Sequence, residues 1–308
     1  MSVIGIDTSN YTTSIAFFDG EGGENCSRLL PVRQGELGLR QSDAVFAHIK
    51  SLPELSGRLF SHIQKEDTIT AVGVSTRPRA VEGSYMPCFM VGYSHAKLLA
   101  DALGVPLVEV SHQQGHVAAS LWSAGRLDLM EETHLAWHLS GGTTELLLVE
   151  PEGRNVKCTR IGGTTDISAG QLIDRTGQLL DLPFPSGKHL DSLSRDATGT
   201  DAFRVKCKSC EFSLSGVQNK VQQFHAACAD PAETAAYALR CVAGAVYQAT
   251  VQALEAYPGL SVVFSGGVAS NSMLRELTAP LHPVFAQPQF STDNAMGVAV
   301  LTKRLTEE

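Results

Sequence analysis

The sequence lacks the features that mark membrane-spanning and secreted proteins. No run of about 18 apolar residues occurs among its 308 residues, which argues against a transmembrane helix. The first residues, MSVIGIDTSN, have neither the basic nor the apolar region of a signal peptide. Seven cysteines, an odd number scattered along the chain, do not resemble a disulfide framework. We therefore expect a cytoplasmic protein with reduced thiols and no membrane association.

The sequence is also poor in positive charge. It has 24 Lys and Arg against 32 Asp and Glu, a net charge of −8. Free-standing nucleic-acid binding needs clustered basic residues, so a role on RNA would require a local basic patch or a partner. The only close cysteine pair, Cys207 and Cys210 in CKSC, lacks the further ligands of a zinc site, which favours incidental thiols.

Strand-rich and helix-rich segments alternate, which predicts an α/β fold. The segments 3–20 and 134–150 both read as strand, small polar turn and strand, about 130 residues apart. This repetition predicts a duplicated architecture of two lobes. Further strands are predicted at 69–75 and 156–161, and helices at 43–63 (broken at Pro53), 87–103, 167–180 and 231–257. Two more strand, turn and helix units close the chain, the first helix starting near Ser270 or Asn271 and the second near Thr292.

Two histidines in SHQQGH are candidate metal ligands. His112 and His116 share one face if the segment is helical. A zinc protease needs a Glu directly after the first histidine as general base, but Gln113 stands there and cannot take a proton. From the residues alone, metal binding and core packing are equally compatible with the pair. Asp293 is a candidate third ligand, although a helix N-cap explains it equally well.

Three glycine pairs follow predicted strands, at 141–142, 162–163 and 266–267. Such turns let backbone N–H groups approach a phosphate, although each alone is more often a simple tight turn. The phosphate-binding P-loop and the dinucleotide motif are both absent. Together the three turns favour a nucleotide site of another kind.

The motifs IGIDTSN, SHQQGH, LSGGTTEL, DISAGQLIDRTGQLLDLPFPSG, FSLSGVQNKV, SGGVASNSMLR and STDNAMGVA occur in one order along the chain. This ordered set resembles the bacterial tRNA adenosine threonylcarbamoyltransferases, also known as glycoprotease-like or peptidase M22 proteins. The resemblance implies a two-lobed actin and sugar-kinase-like (ASKHA) fold with duplicated lobes around a central cleft. We expect an N-terminal lobe over 1–125 and a C-terminal lobe over 126–308, with an insertion around 165–235.

The resemblance also implies the site and the reaction. His112, His116 and Asp293 would bind one iron or zinc ion. Adenylate or ATP would be bound by Ser140, Gly141, Gly142, Asp174, Gly187, Asp191, Gly267 and Asn271. The implied reaction transfers a threonylcarbamoyl group from threonylcarbamoyl-adenylate to the adenosine beside the tRNA anticodon. A smaller paralogous subunit of the same fold and an ATPase are the implied partners.

Several positions depart from the family pattern. An acidic pair is replaced by Tyr11 and Thr12, a Glu by Gln114 and a His by Thr143. The Gly-Pro-Gly-Leu segment is Arg-Pro-Arg-Ala at 77–80, and a second Glu is Gln171. These changes leave the predicted metal ligands intact. They are as compatible with a working transferase as with a diverged paralogue that binds nucleotide and metal without modifying tRNA, which is the alternative function.

Overall fold

The computed structural model describes residues 1–31, 39–63, 67–292 and 294–307. These residues form twelve strands and nine α-helices. The strands are β1 (Ser2–Thr8), β2 (Thr12–Phe18), β3 (Gly23–Leu29), β4 (Ile69–Arg77), β5 (Leu107–Ser111), β6 (His134–Leu139), β7 (Thr144–Glu152), β8 (Asn155–Thr164), β9 (Cys207–Lys208), β10 (Glu211–Phe212), β11 (Val262–Ser265) and β12 (Val284–Phe285). The helices are α1 (Gln41–His62), α2 (Phe89–Leu103), α3 (His112–Ser123), α4 (Ala169–Leu179), α5 (Gly187–Leu193), α6 (Ser215–Cys228), α7 (Pro231–Ala256), α8 (Ser272–Thr278) and α9 (Met296–Thr306).

The chain divides into two compact units. The first contains the described residues of Met1–Glu132, Glu150–Cys158 and Asp293–Glu308, and the second those of Thr133–Val149 and Thr159–Thr292. Helix α9 thus belongs to the first unit, whereas the division expected at residue 125 assigns it to the C-terminal lobe. No helix in the described part of the chain is both long and apolar enough to cross a membrane.

The first unit is built on a five-stranded sheet in the order β3-β2-β1-β4-β5. Strands β1 and β2 form the predicted hairpin, with Asp7 opposite Ser14. Strand β3 extends this hairpin as a third antiparallel strand that the sequence did not predict. Strands β4 and β5 run parallel to β1. Because β1 is central, side chains at its carboxyl end are held from both sides.

Helix α9 packs directly on this sheet because the facing strands carry glycine. A Cβ added to Gly5 would lie 2.6 Å from the backbone nitrogen of Ala299. A Cβ added to Gly73 would overlap the Thr302 hydroxyl. Neither contact leaves room for a side chain, so the last helix of the chain is an integral layer of the first unit.

The helix break predicted at Pro53 is wrong. The helix runs without interruption from Gln41 to His62 with Pro53 inside it. Proline removes a backbone donor and normally interrupts a helix. Here Pro53 lies on the exposed side of α1, while Leu52, Leu55 and Leu59 are buried in the core of the unit. Burial of this apolar face stabilises the helix on both sides of the proline.

The second unit contains most of a seven-stranded sheet in the order β12-β11-β6-β7-β8-β10-β9. Strands β6 and β7 form the second predicted hairpin, and β11 runs parallel to β6. The predicted long helix is α7, which begins after Asp230, whose side chain accepts hydrogen bonds from Ala232 N and Glu233 N. The apolar face of α7 packs in a core that includes Trp137 and Phe264. This core supports the loops that follow β6 and β11.

All seven cysteines are free thiols. In the CKSC segment, Ser209 and Cys210 form a turn between β9 and β10, both with positive φ. Gln252 fixes this turn, since its amide donates to Cys207 O at 3.0 Å and its oxygen accepts from Cys210 N at 2.9 Å. Burial raises the pKa of Cys207 to about 11. The thiol is therefore protonated at neutral pH.

Candidate functional site

The two histidines predicted to bind metal lie together in the first unit. Helix α3 begins at His112, so His112 and His116 are one turn apart on the same face. Their Nε2 atoms are 3.0 Å apart, and their rings are nearly perpendicular at 86°. Two nitrogens that each lie about 2.1 Å from one ion are roughly 3.0 to 3.4 Å apart. The spacing therefore fits two ligands of a single divalent ion.

The third predicted ligand, Asp293, lies outside the described residues. Within residues 1–31, 39–63, 67–292 and 294–307, no group of three or more His, Cys, Asp or Glu side chains has the geometry of a metal site. The structure thus brings two of the three predicted ligands together. The position of Asp293 stays a prediction.

His112 is held by a carboxylate that sequence reasoning missed. Asp7 Oδ1 lies 2.9 Å from His112 Nδ1, and the Asp7 side chain is 1% exposed. The hydroxyl of Ser75 donates to the same oxygen. Asp7 lies near the carboxyl end of β1, in the predicted hairpin. Its partner His112 is 105 residues away, so no local pattern predicts the contact.

Gln114, one of the departures from the family pattern, has a defined structural role. It lies three residues after Ser111, the N-cap of α3, and the two side chains form a capping box. Its oxygen accepts from Ser111 N at 2.9 Å, and its amide nitrogen donates to Val156 O at 2.8 Å. A glutamate could form the first bond but, once ionised, not the second. The amide therefore satisfies a buried carbonyl.

The second unit contains a cavity of about 390 Å³. Its wall comes from the turn between β6 and β7, α4, the loop before α5, α5 itself, and the segment after β11. The lining residues are Gly141, Gly170, Ile173, Asp174, Pro185, Gly187, Lys188, Asp191, Gly267, Val268, Ser270 and Asn271. Six of the eight residues predicted to bind adenylate line this one cavity. The other two, Ser140 and Gly142, lie in the same turn as Gly141 but do not line it.

The turn between β6 and β7 is fastened to the start of α4. Ser140 N donates to Thr143 O at 2.8 Å within the turn. Ser168, the N-cap of α4, donates from its hydroxyl to Gly141 O at 2.6 Å. A Cβ added to Gly170 would lie 2.5 Å from the Cα of Gly141. This close approach fixes the turn at the cavity edge.

Gln171 closes a second capping box at the N-terminus of α4. Its side-chain oxygen accepts from Ser168 N at 3.2 Å, and its own backbone N–H donates to the Ser168 hydroxyl at 3.0 Å. This arrangement repeats the pairing of Ser111 with Gln114 in the first unit. The Ser-x-x-Gln spacing in the sequence is the signal that predicts both boxes.

Two carboxylates in the cavity wall are hydrogen-bonded to the protein, Asp174 through one oxygen and Asp191 through both. Asp174 Oδ1 accepts from Ser186 N at 2.8 Å, and burial raises the pKa of Asp174. Asp191 Oδ1 accepts from Asn271 Nδ2, Ser272 N and Ser272 Oγ, each at 2.8 Å. Asp191 Oδ2 lies 3.3 Å from the guanidinium of Arg195.

The glycines after β11 have different roles. Gly266 has a φ of +91°, and a Cβ there would overlap the carbonyl of Leu139, so its backbone requires glycine. A Cβ added to Gly267 would meet no atom within 4 Å. Gly267 is thus not required by packing, and it leaves open space on the cavity side.

Sequence reasoning missed several residues of the cavity wall. Ile173 and Val268 supply apolar surface, and the exposed Lys188 supplies a positive charge. Lys188 follows Gly187 directly. Its position next to a residue predicted to bind adenylate is the sequence feature that could have indicated it. An apolar wall with a few polar groups is typical of small-molecule sites.

The backbone is similar to solved proteins of one fold class. Full-length HypF in its phosphate- and nucleotide-bound form matches with a TM-score of 0.63 and 14% identity, covering 100% of this chain and 47% of HypF. A ROK family glucokinase from Streptomyces griseus, solved with glucose and AMPPNP, matches with a TM-score of 0.55 and 11% identity, covering 99% and 100% of the two chains. The protein therefore has the predicted α/β fold of the actin and sugar-kinase (ASKHA) class.

The sequence identifies a narrower group within that class. The family model described as TsaD, tRNA N6-adenosine threonylcarbamoyltransferase, matches residues 37–300. A threonylcarbamoyltransferase of this name from Streptococcus suis is 34% identical over 230 residues, 72% of this chain and 65% of the relative. One from Carboxydothermus hydrogenoformans is 30% identical over 320 residues, 96% of this chain and 90% of the relative. The chain belongs to the TsaD family, which confirms the resemblance seen in the sequence. The match to the Streptococcus suis relative spans just under two thirds of that protein's length.

Proposed function

We propose that the protein transfers a threonylcarbamoyl group from threonylcarbamoyl-adenylate to the adenosine beside the tRNA anticodon. In this reaction the exocyclic amine of the adenosine attacks the carbamoyl carbon. The bond from that carbon to the phosphate oxygen breaks, adenylate leaves, and the amine loses a proton. The observation that carries the proposal is the cavity of the second unit, because residues from separate segments that the family resemblance assigns to adenylate line it together.

The cavity has the size and chemistry to hold the adenylate part of the donor. Its volume of about 390 Å³ falls within the roughly 300 to 1,000 Å³ of small-molecule sites. Asp174 uses one oxygen for Ser186 N, so the other is available for a ribose hydroxyl. The open space beside Gly267 admits the phosphate, and Lys188 supplies the opposite charge.

We propose that His112 and His116, with Asp293 as third ligand, hold one iron or zinc ion. The two Nε2 atoms, 3.0 Å apart on one face of α3, support this assignment. Imidazole nitrogen and carboxylate oxygen are ligands that both metals accept. When bound, the ion would supply Lewis-acid polarisation of a carbonyl or phosphoryl oxygen. His112 and His116 orient it from a single helix.

tRNA binding is proposed to require a complex. The chain carries a net charge of −8, which repels a polyanion at long range. A partner with a basic surface would offset that repulsion. By family analogy the partners are a smaller paralogous subunit of the same fold and an ATPase.

One observation favours the alternative of a binding or regulatory paralogue. The family's acidic pair at the first hairpin is replaced here by Tyr11 and Thr12. Tyr11 is 38% exposed and Thr12 is buried, so the tip of this hairpin offers a phenol and no carboxylate. Under this alternative the chain binds nucleotide and metal but does not modify tRNA.

A reconstituted assay distinguishes the two functions. The purified chain is mixed with tRNA, threonylcarbamoyl-adenylate and the two partner proteins, and modified nucleosides are measured by mass spectrometry. We expect threonylcarbamoyladenosine to accumulate and to be lost with His112→Ala. The control is His282→Asn, a change at an exposed histidine with positive φ, which asparagine tolerates. Nucleotide binding without any modified nucleoside at saturating partner would support the paralogue.

A further inference from the structure

We propose that Asp7 is the positioning residue of the metal site. It fixes the proton of His112 on Nδ1 and so turns the lone pair of Nε2 toward His116. The inference rests on the metal site proposed above and adds a residue that the predicted ligand set does not contain.

The contact itself determines the tautomer. Asp7 Oδ1 lies 2.9 Å from His112 Nδ1, and an ionised carboxylate can only accept hydrogen bonds. Nδ1 must therefore carry the proton. In the neutral ring, Nε2 then carries the lone pair. That atom faces His116 Nε2 at 3.0 Å.

The carboxylate is held by a rigid platform. Asp7 lies in the central strand of the first unit's sheet, paired with Ser14 on β2. The Ser75 hydroxyl, on the neighbouring strand β4, donates to Asp7 Oδ1. The next residue, Thr8, is fixed to the start of α2 by hydrogen bonds with Cys88 O at 3.0 Å and Gly92 N at 3.1 Å. The Asp7 carboxylate therefore has a fixed position, and this position sets the orientation of the His112 imidazole.

Burying the Asp7 carboxylate lowers the stability of the fold, which argues that Asp7 has a role beyond folding. Asp7 is buried, and its Oδ2 has no hydrogen-bond partner among the residues that the structure describes. A buried, unsatisfied polar oxygen destabilises a fold by about 1 to 3 kcal/mol. A neutral side chain of similar size would link β1 to α3 at lower cost. Carboxylates that accept from a metal-bound histidine orient the ring and raise its basicity.

The first test measures binding of zinc alone to the full chain. Wild type, Asp7→Asn and Asp7→Ala are titrated in competition with a chromophoric chelator. We expect Asp7→Ala to weaken zinc binding about 10- to 100-fold. The zinc affinity of Asp7→Asn should lie between those of the wild type and Asp7→Ala, because the asparagine oxygen can still accept from Nδ1 but carries no charge. The matched control is Asp43→Asn on the exposed side of α1, which should bind zinc like wild type.

The second test reads the tautomer without metal. Nitrogen-15 correlation spectra of the ring are recorded at about pH 8, where a histidine of ordinary pKa is neutral. We expect His112 of the wild type to be protonated at Nδ1 and to shift toward the Nε2 tautomer in Asp7→Ala, with a smaller shift in Asp7→Asn. A contact in which Nδ1 does not donate to Asp7 would leave this signal unchanged.

The outcomes separate the inference from the metal site. Zinc binding that is unchanged in a folded Asp7→Asn and Asp7→Ala would overturn the role of Asp7 and leave the metal site standing. A wild type that binds no zinc would overturn the metal site. A wild-type His112 protonated at Nε2 would overturn the inference even if Asp7→Ala does not fold.

Discussion

Asp191 and Asn271, 80 residues apart, are joined by a hydrogen bond of 2.8 Å between Oδ1 and Nδ2. The same Asp191 oxygen also accepts from Ser272 N and Oγ. Asn271 in turn caps α8 by accepting from Leu274 N at 3.0 Å. Asp191 thus organises the cavity wall as well as contributing to it.

Replacing Asp191 should affect both stability and ligand binding. Asp191→Ala removes the acceptor of four hydrogen bonds, three at Oδ1 and one from the exposed Arg195 at Oδ2, and we expect the free energy of unfolding to fall by about 1 to 3 kcal/mol. We expect AMP affinity to fall at least about tenfold, or about 1.4 kcal/mol. Denaturant titration and calorimetry check the two quantities. Asp196→Ala, at an exposed carboxylate nearby in the chain, should change neither, and equal AMP affinity in both variants would contradict the prediction.

Filling the open space at Gly267 should block the cavity without disturbing the fold. Gly267→Leu projects a side chain where an added Cβ meets nothing within 4 Å. We expect AMP affinity to fall more than about tenfold, while the melting temperature changes by less than about 2 °C. The matched control is Gly216→Leu in α6, where the Cβ also meets nothing within 4 Å but the residue does not line the cavity. AMP binding that survives in Gly267→Leu would place the nucleotide elsewhere.

The two capping glutamines should respond differently to glutamate. In Gln114→Glu the ionised side chain cannot donate to Val156 O, and we expect a loss of about 1 to 3 kcal/mol in unfolding free energy. In Gln171→Glu the residue is exposed and the capping bond to Ser168 N is retained, so stability should be unchanged. Chemical denaturation at neutral pH compares the two. Equal stability would contradict the role assigned to the Gln114 amide.

The Gln114→Glu penalty should also depend on pH. Burial raises the pKa of the introduced carboxyl above its free value of about 4.3. The folded variant then binds more protons than the unfolded one, so its stability falls as pH rises from about 4 through the raised pKa. Unfolding free energies measured between about pH 4 and 7 should show this fall in Gln114→Glu but not in Gln171→Glu.

Asp166 should give the wild type a pH-dependent contribution of the opposite sign. Burial raises the pKa of Asp166, but hydrogen bonds from Ser213, Ser215 and the backbone of residues 214–215 outweigh it and lower the pKa to about 2. The stabilisation is present above the unfolded pKa of 3.8 and is lost as pH falls through the folded value.

Asp166→Ala measures that contribution. Because the residue is exposed, we expect only about 1 kcal/mol at neutral pH. The difference from wild type should shrink as pH falls from about 4 to about 2. Acid unfolding curves followed by circular dichroism check this. A difference that stays constant over the range would assign the effect to something other than the carboxylate charge.

Local sequence patterns predicted much of the fold. The two hairpins follow from alternating apolar residues around short polar turns, and α7 follows from an Asp-Pro start before a long alanine-rich run. The pairing of His112 with His116 follows from their spacing once the segment is helical, as it is in α3. Such features depend on residues only a few positions apart, so local sequence patterns are enough to predict them.

Other features depend on contacts between distant segments. The helix around Pro53 continues because leucines on its opposite face are buried, which local propensity does not reveal. Asp7 and His112 are linked only once β1 and α3 have folded. Lys188 enters the cavity wall through the position of α5. The family motifs indicated six of the lining residues, but that these residues line one cavity is seen only in the folded structure.

The glycine-faced contact between α9 and the first sheet has a consequence for biosynthesis. Strands β1 and β4, which carry Gly5 and Gly73, precede the second unit in the chain, and helix α9, which covers both glycines, follows it. All residues of the second unit are translated in between. The face of the first sheet that α9 covers therefore stays uncovered by this helix until the whole second unit has been translated.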